Sequence, residues 1–217
     1  MNIRVLLVDD HQMMREGLRA LLDREQGVEV VGEASDGRAA LKLARTLAPD
    51  VVVMDIGMDE MNGIEATRCI KGELDRTRVV ALSAHSDKSY VHHMLKAGAS
   101  GYVLKSAAHD ELIRAVRAAS AGKTYLSPEI AGPVIERSTH PETPPEPSAY
   151  SMLGSREREV LQLIAEGRTS AETAKRMHIS VKTVETHRRN ISQKLGIHGT
   201  AELTKYAIRE GLTSLES

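Results

Sequence analysis

The sequence has no Phe, no Trp, five Tyr and a single cysteine, Cys69, among its 217 residues. Without large rings, a buried core must be filled by Leu, Ile, Val, Met and Ala. One cysteine excludes an intramolecular disulfide and any multi-cysteine metal site, which fits a reducing compartment. No apolar run approaches the roughly 20 residues that a membrane-spanning helix needs. Residues 1–10 lack the basic stretch, apolar run and small-residue cleavage site of a signal peptide. These absences lead to the expectation of a cytoplasmic protein. A strong net charge is also lacking, the formal value being -1. That value conceals an asymmetry: residues 154–217 hold 11 Lys and Arg against 8 Asp and Glu, a net of +3, leaving -4 for residues 1–153. The basic end is the better candidate for a polyanionic partner.

Proline is scarce too, and its distribution is informative. Four of the seven lie in residues 138–151, a stretch with almost no aliphatic side chains. Proline lacks an amide proton and fixes its own φ, so this stretch suits neither a helix interior nor a central strand and reads as an extended, semi-rigid linker. A chain of this length accommodates two modest domains around it. The expected division is a first domain over residues 1–125, a linker over 126–152 and a second domain over 153–217. Because Pro133 follows Pro128, any helix leading into the linker is expected to be short or kinked.

Before the linker, short runs rich in Val and Ile (residues 3–8, 28–34, 51–54, 79–83 and 101–104) alternate with longer stretches that space apolar residues at three and four. Five such units predict an α/β fold with a five-stranded, doubly wound parallel sheet, whose ligands bind at the carboxyl ends of the strands. After the linker the pattern is helical only. Ser155 is expected to cap a first helix that ends at Gly167, residues 170–177 form a second, Ser180 caps a third that stops at Gly196, and residues 201–209 form a fourth. Together they predict a compact four-helix domain.

In the predicted sheet Asp9 and Asp10 end the first strand, Asp55 the third, Ser83 the fourth and Lys105 the fifth. Parallel topology brings all five to one edge. Three converging carboxylates repel one another, and a hard divalent cation such as magnesium relieves this with oxygen ligands. A carboxylate can attack a phosphoryl group, a lysine can neutralise the charge that develops, and a hydroxyl can hydrogen-bond a phosphoryl oxygen.

The runs Val8-Asp9-Asp10-His11, Met54-Asp55-Ile56, Met61-Asn62-Gly63-Ile64-Glu65-Ala66, Leu82-Ser83-Ala84-His85 and residues 97–105, ending in Tyr102-Val103-Leu104-Lys105, resemble the receiver domain of two-component response regulators. The resemblance covers residues 2–122. It implies that Asp55 accepts a phosphoryl group from a sensor histidine kinase, and that Asp9, Asp10, Asp55 and the Gly57 backbone carbonyl surround magnesium. It further implies that Lys105 pairs with the phosphoryl group and that Ser83 moves towards it, letting Tyr102 change rotamer. Taken alone, Tyr102 reads as a partly buried ring with its hydroxyl in water. Two positions depart from the common pattern: Asp59 and Ser106 stand where many receivers have Pro, and Asp59 with Glu60 makes the loop after the acceptor acidic.

The turn His178-Ile179-Ser180 separates the second and third carboxy-terminal helices at the spacing of a helix-turn-helix. On the third helix, Val184, Ile191 and Leu195 share one face, and Lys182, Glu185, Thr186, Arg189 and Gln193 the opposite one. Arg can pair with guanine, Glu can accept from cytosine amino groups, and Lys can hold phosphates. Residues 156–161, residues 179–187 and Lys194-Leu195-Gly196 resemble the four-helix DNA-binding domain of the NarL/FixJ/LuxR type. That resemblance implies base readers at Glu185, Thr186 and Arg189, with Lys182, Thr183, His187 and Arg188 nearer phosphates. It also implies a homodimer on inverted half-sites through the fourth helix, which is expected to expose Leu203, Tyr206 and Ala207.

Two alternatives stay open in the sequence. One is a magnesium-dependent phosphatase with an aspartyl nucleophile; such enzymes commonly carry a general acid two residues after the nucleophile, where this chain has Gly57. The other is a regulator of the same architecture that works without phosphorylation. The expectation is a DNA-binding response regulator, not an enzyme.

Overall fold

The computed structural model describes residues 2–58, 61–84, 86, 88–106, 109–139, 152–210 and 212. Asp59, Glu60 and His85, named above, and most of the proline-rich stretch lie outside them. The chain forms two compact units, Met1–Thr139 and His140–Ser217. Among the described residues, no helix is long and apolar enough to cross a membrane.

The first unit runs β1 (Ile3–Val8), α1 (Gln12–Leu22), β2 (Val28–Ala34), α2 (Gly37–Leu47), β3 (Val51–Asp55), α3 (Gly63–Glu73), β4 (Arg78–Ser83), α4 (Lys88–Lys96), β5 (Gly101–Leu104), α5 (His109–Ser120), β6 (Tyr125–Leu126) and α6 (Pro128–Thr139). The sheet has the order β2-β1-β3-β4-β5-β6, and every pairing is parallel. Side chains alternate across a strand, so the valine-rich runs serve two cores at once. Leu6, Val8, Val52, Met54, Val79 and Ala81 pack on α2, α3 and α4. Val5, Leu7, Val51, Val53, Val80 and Leu82 pack on α1 and α5. Alanines and aliphatics on these helices fill the space that aromatic rings would otherwise occupy.

Two expectations need correction here. The sheet has six strands rather than five, and the first unit continues beyond residue 125 through β6 and α6. The cause is packing: Ile130 is 2% exposed and joins the same core as Tyr90, Val91 and Met94 of α4. Ser127, fully buried, donates its N–H to the carbonyl of Tyr102 at 3.0 Å and caps α6 by accepting from Ile130 and Ala131. Pro128 occupies the first helical position, where no amide proton is needed. The helix runs through Pro133 for 12 residues, so it is neither confined to the linker nor cut short.

Gly63 seats α3 against the end of β3. Its N–H donates to the Ile56 carbonyl at 3.0 Å, and a Cβ there would fall 2.0 Å from the Asp55 carbonyl oxygen. Asn62 caps the helix by accepting from Glu65 N at 2.9 Å.

The second unit contains α7 (Ser155–Ala165), α8 (Ser170–Met177), α9 (Val181–Leu195) and α10 (Thr200–Arg209). Leu153, Val160, Leu161, Ile164, Met177, Val184 and Ile191 form its core. Leu203 and Ala207 belong to that core as well, at 3% and 0% exposure, and Tyr206 packs against it. The expectation that α10 exposes these three is therefore corrected, because α10 lies against α7 and turns its apolar stripe inward. The start of α7 also differs. Ser155 is the first helical residue and Gly154 the cap, satisfied by Glu157, whose carboxylate accepts from Gly154 N at 2.7 Å. Thr169 and Glu172 form a capping box at α8, and Ser180 caps α9 by accepting from Thr183 N at 3.1 Å.

Glu157 also accepts from Nζ of Lys194 at 2.6 Å, tying the start of α7 to the end of α9. Burial acts to raise the Glu157 pKa, but Lys194 and the Gly154 amide outweigh it and hold the carboxyl below its ordinary 4.5. A depressed carboxyl stabilises the fold above its unfolded pKa, and that contribution is lost as pH falls through the folded value. Glu157→Gln should lower the stability of this unit at neutral pH by about 1 kcal/mol, and the gap to wild type should close in acid; calorimetry of the full chain across pH measures both. Gly63→Ala should destabilise the first unit by about 2 kcal/mol or more, read as a lower urea midpoint.

Candidate functional site

The carboxyl ends of β1, β3, β4 and β5 meet at one edge, and the residues at or just beyond these ends form a charged cluster beside the apolar core. Asp9 is fully buried, Asp55 is 4% exposed and Ser83 is 1% exposed. Lys105 reaches in from the end of β5, its Nζ standing 2.8 Å from Oδ2 of Asp9 and 2.9 Å from Oδ2 of Asp55. Its backbone N–H donates to the Ser83 carbonyl at 2.7 Å, so the ends of β4 and β5 are fixed together.

Burial and the neighbouring Asp9 raise the Asp55 pKa, and Lys105 opposes them. Burial acts to lower the Lys105 pKa, but Asp55 and Asp9 outweigh it and raise it. The cluster is thus an electrostatically tight set with more carboxylate than cation. Its remaining oxygens are partly engaged: Oδ1 of Asp9 accepts from His11 N at 2.9 Å, and Oδ1 of Asp55 accepts weakly from Gly57 N at 3.4 Å. Gly57 itself is exposed in the loop after β3.

One ligand atom from each of Asp9, Asp10, His11 and Asp55 lies within 4.8 Å of the others. Three carboxylates against one ammonium form a donor set that could hold a hard cation, which would relieve the excess negative charge. His11 had no role assigned from sequence. Its Nδ1 stands 2.7 Å from Oδ1 of Asp10, and its place directly after the two aspartates was the available signal. Arg15, also unassigned, donates from Nη1 to the Asp9 carbonyl at 2.7 Å, pinning the loop from α1.

The structure therefore gathers Asp9, Asp10, Asp55, Ser83 and Lys105 at one edge. Tyr102 differs from expectation. It is fully buried at 0% exposure, its hydroxyl included, because β6 and α6 cover the outer side of β5. Ser106 is exposed in the turn after Lys105.

In the second unit, Lys182, Thr183, Glu185, Thr186, Arg189 and Gln193 are all exposed along α9, and Val184 and Ile191 are fully buried opposite them. Helical spacing thus produced the division that the sequence implied. Their hydroxyl and carboxyl groups already have local partners: Ser170 Oγ donates to Glu185, Thr186 Oγ1 donates to the Lys182 carbonyl at 2.9 Å, and Thr183 Oγ1 lies 2.8 Å from Ser180 Oγ. His187 and Arg188 are only half exposed. Nδ1 of His187 is buried without a hydrogen-bond partner among the described residues. Arg188 donates to Thr200 Oγ1 at 3.4 Å, towards α10. His178 terminates α8 with a left-handed φ of 53°, giving the sharp turn before α9.

Comparison with known proteins agrees with this division. Residues 5–117 match the response regulator receiver domain family, and residues 151–207 match the family of bacterial regulatory proteins, luxR family. The transcriptional regulatory protein LiaR of Bacillus subtilis is 42% identical over 212 residues, covering 98% of this chain and 100% of that protein. The response regulator UvrY of Escherichia coli K12 is 38% identical over 215 residues, covering 99% and 98%. Among solved structures, a LuxR-family response regulator from Aurantimonas is similar with a TM-score of 0.62 and 40% identity, over 64% of this chain and 100% of that one. The response regulator RcsB in complex with DNA is similar with a TM-score of 0.60 and 26% identity, over 97% and 99%. These relatives are regulators, not enzymes, and the phosphatase alternative gains nothing from them. The chain belongs to the response regulators that join a receiver domain to a LuxR-type DNA-binding domain.

Proposed function

We propose that Asp55 is the phosphoacceptor through which a sensor histidine kinase controls promoter binding by α9. The observation that carries this is the Lys105 ammonium held within 3 Å of Asp9 and Asp55. A buried carboxylate beside a fixed cation is arranged to receive, and then balance, a dianionic group. An Asp55 oxygen attacks phosphorus, the O–P bond forms, and the N–P bond to the donor imidazole breaks. Lys105 then exchanges a carboxylate partner for the more highly charged phosphoryl oxygens, and Ser83, at the end of the adjacent strand β4, offers a hydroxyl to hydrogen-bond one of them.

Asp9, Asp10, Asp55 and the Gly57 carbonyl would hold magnesium, since their oxygens suit a small hard cation better than a soft one. When bound, such an ion neutralises carboxylate charge and polarises the incoming phosphoryl group. The response is a population shift, in which the phosphoryl group favours the conformer that brings Ser83 and Lys105 towards it and allows Tyr102 to repack. Burial of Tyr102 supports a coupled rearrangement, because a closed core permits discrete packings and few intermediate ones.

The output is DNA binding by two copies on inverted half-sites, in the cytoplasm. Glu185, Thr186 and Arg189 read bases, and Lys182 and Thr183 contact phosphates. Arg188 and His187, both partly buried on the flank of α9, contact phosphates as well, and Arg188 also reaches Thr200 Oγ1 at the start of α10. Since Leu203 and Ala207 are spent on the core, a contact between α10 helices would use the exposed Ala201, Glu202 and Lys205.

With magnesium and a small phosphodonor, the wild type should gain one phosphoryl group by mass spectrometry and Asp55→Asn none. Beryllofluoride should tighten wild-type binding to its preferred DNA by about tenfold and leave Asp55→Asn unchanged; equal responses of the two proteins would defeat the mechanism. Arg189→Ala should weaken specific binding by roughly 1–3 kcal/mol and relax base preference at one position, whereas Lys182→Ala should weaken all sequences alike and reduce the salt slope by about one.

A further inference from the structure

The first residue of α9 has no part in the contacts assigned so far. Val181 is 47% exposed, one of three large hydrophobic side chains so exposed among the described residues. It lies outside the core, which takes Val184 and Ile191 from this helix. Nor does it close the helix entry, since the apolar residue before the cap, Ile179, packs against that core. An amino-terminal first turn ordinarily favours acidic residues or proline. This one contains no acid, and an aliphatic side chain faces water instead.

Its position on the helix is informative. Val181, Glu185 and Arg189 are spaced by four residues, forming one inclined row of exposed side chains about 6 Å apart. Cα–Cβ bonds tilt towards the amino end of a helix, so Val181 is the leading member of that row. Branching at Cβ leaves one strongly preferred rotamer in a helix, so its two methyl groups are presented in a fixed place with little entropy left to lose. When the second helix of a helix-turn-helix docks, its amino-terminal residues approach base edges in the major groove. The apolar group displayed there is the 5-methyl of thymine.

We propose that Val181 is a specificity residue that packs against the 5-methyl group of one thymine in each half-site. This rests on the reading of α9 as the DNA-recognition helix. It gives the row a division of labour in which Glu185 and Arg189 select by hydrogen bonds, and Val181 selects by shape and by burying a methyl group that cytosine and uracil lack. Being uncharged, it contributes nothing to the release of counterions.

The test uses the full-length protein and duplexes selected by it from a random pool. Each thymine of the selected sequence is replaced in turn by deoxyuridine, which removes the methyl and leaves every hydrogen-bonding group. Wild type should lose affinity by roughly fourfold at one symmetric position, the ratio corresponding to about 0.8 kcal/mol for one buried carbon. Val181→Ala should bind the thymine and uracil forms equally there, with an unchanged salt slope and melting temperature, and Val181→Ile should retain the discrimination. Wild type indifferent to every replacement, or Val181→Ala with the wild-type ratio, overturns the assignment while leaving α9 as the DNA-binding helix. Failure to select any duplex overturns that reading, and the assignment with it.

Discussion

Lys105 stands between two buried carboxylates, and the arrangement of the first unit follows from the need to put it there. Asp9 and Asp55 leave adjacent strands, β1 and β3, at the same level of the sheet. Their charges could not share a dry edge unaided, because repulsion in a poorly solvated site is much stronger than in water. The ammonium has to come from β5, two strands from β3. The Lys105 N–H bond to Ser83 supplies the required anchor, and the length of the side chain spans the remaining gap. Burial would discharge a lone lysine, but two carboxylates reverse that tendency and hold the proton more firmly than usual.

This balance is stable yet incomplete. Asp10 and His11 pair at the rim, where Asp10 is about one quarter exposed. One ammonium does not neutralise three carboxylates, so the pocket retains an attraction for cations, while burial first and the neighbouring Asp9 second raise the Asp55 pKa against the pull of Lys105. Burial thus disfavours the Asp55 anion, and Lys105 offsets only part of that cost. Removing negative charge around it, or giving Lys105 a stronger partner, therefore shifts the whole set. The connections from that set reach far: Leu104 N and Glu111 both meet the hydroxyl of the buried Ser127, at 3.3 and 2.5 Å, at the cap of α6. A displacement of β5 beside Lys105 has to be accommodated at that cap.

Much of this was legible in the sequence because it follows from period and placement. Strands that are apolar on both faces announce a covered parallel sheet, and acids directly after them announce the reactive edge. The alternation of Val184 and Ile191 with Lys182, Glu185 and Arg189 divided α9 correctly for the same reason. What was illegible has physical causes of its own. β6 is two residues long, too short for any period, and is held by Ser127 and Ile130 rather than by its own pattern. α6 carries two prolines and resembles a linker until its core contacts are known. Leu203 and Ala207 look like surplus apolar surface unless one knows that α7 lies over them. His11 and Arg15 act through geometry at a loop, where spacing carries no information.

The two units place their charges in opposite regimes. In the first, the decisive charges are buried, at short distances and shielded from mobile ions, so their balance changes with local chemistry more than with bulk salt. In the second, Lys182 and Arg189 are exposed and interact over distances comparable to the Debye length, so their attraction to a polyanion falls steeply with salt. Exposed charge supplies attraction without selecting a sequence. Selection needs groups whose positions are already fixed before contact. Glu185 tethered by Ser170, Thr186 bonded to its own helix and Val181 restricted by its branching meet that requirement. A long flexible cation such as Lys182 does not. The order already present on the free surface of α9 thus suits Glu185, Thr186 and Val181 to reading bases, whereas Arg189 brings its own fixed geometry in the planar fork of its guanidinium.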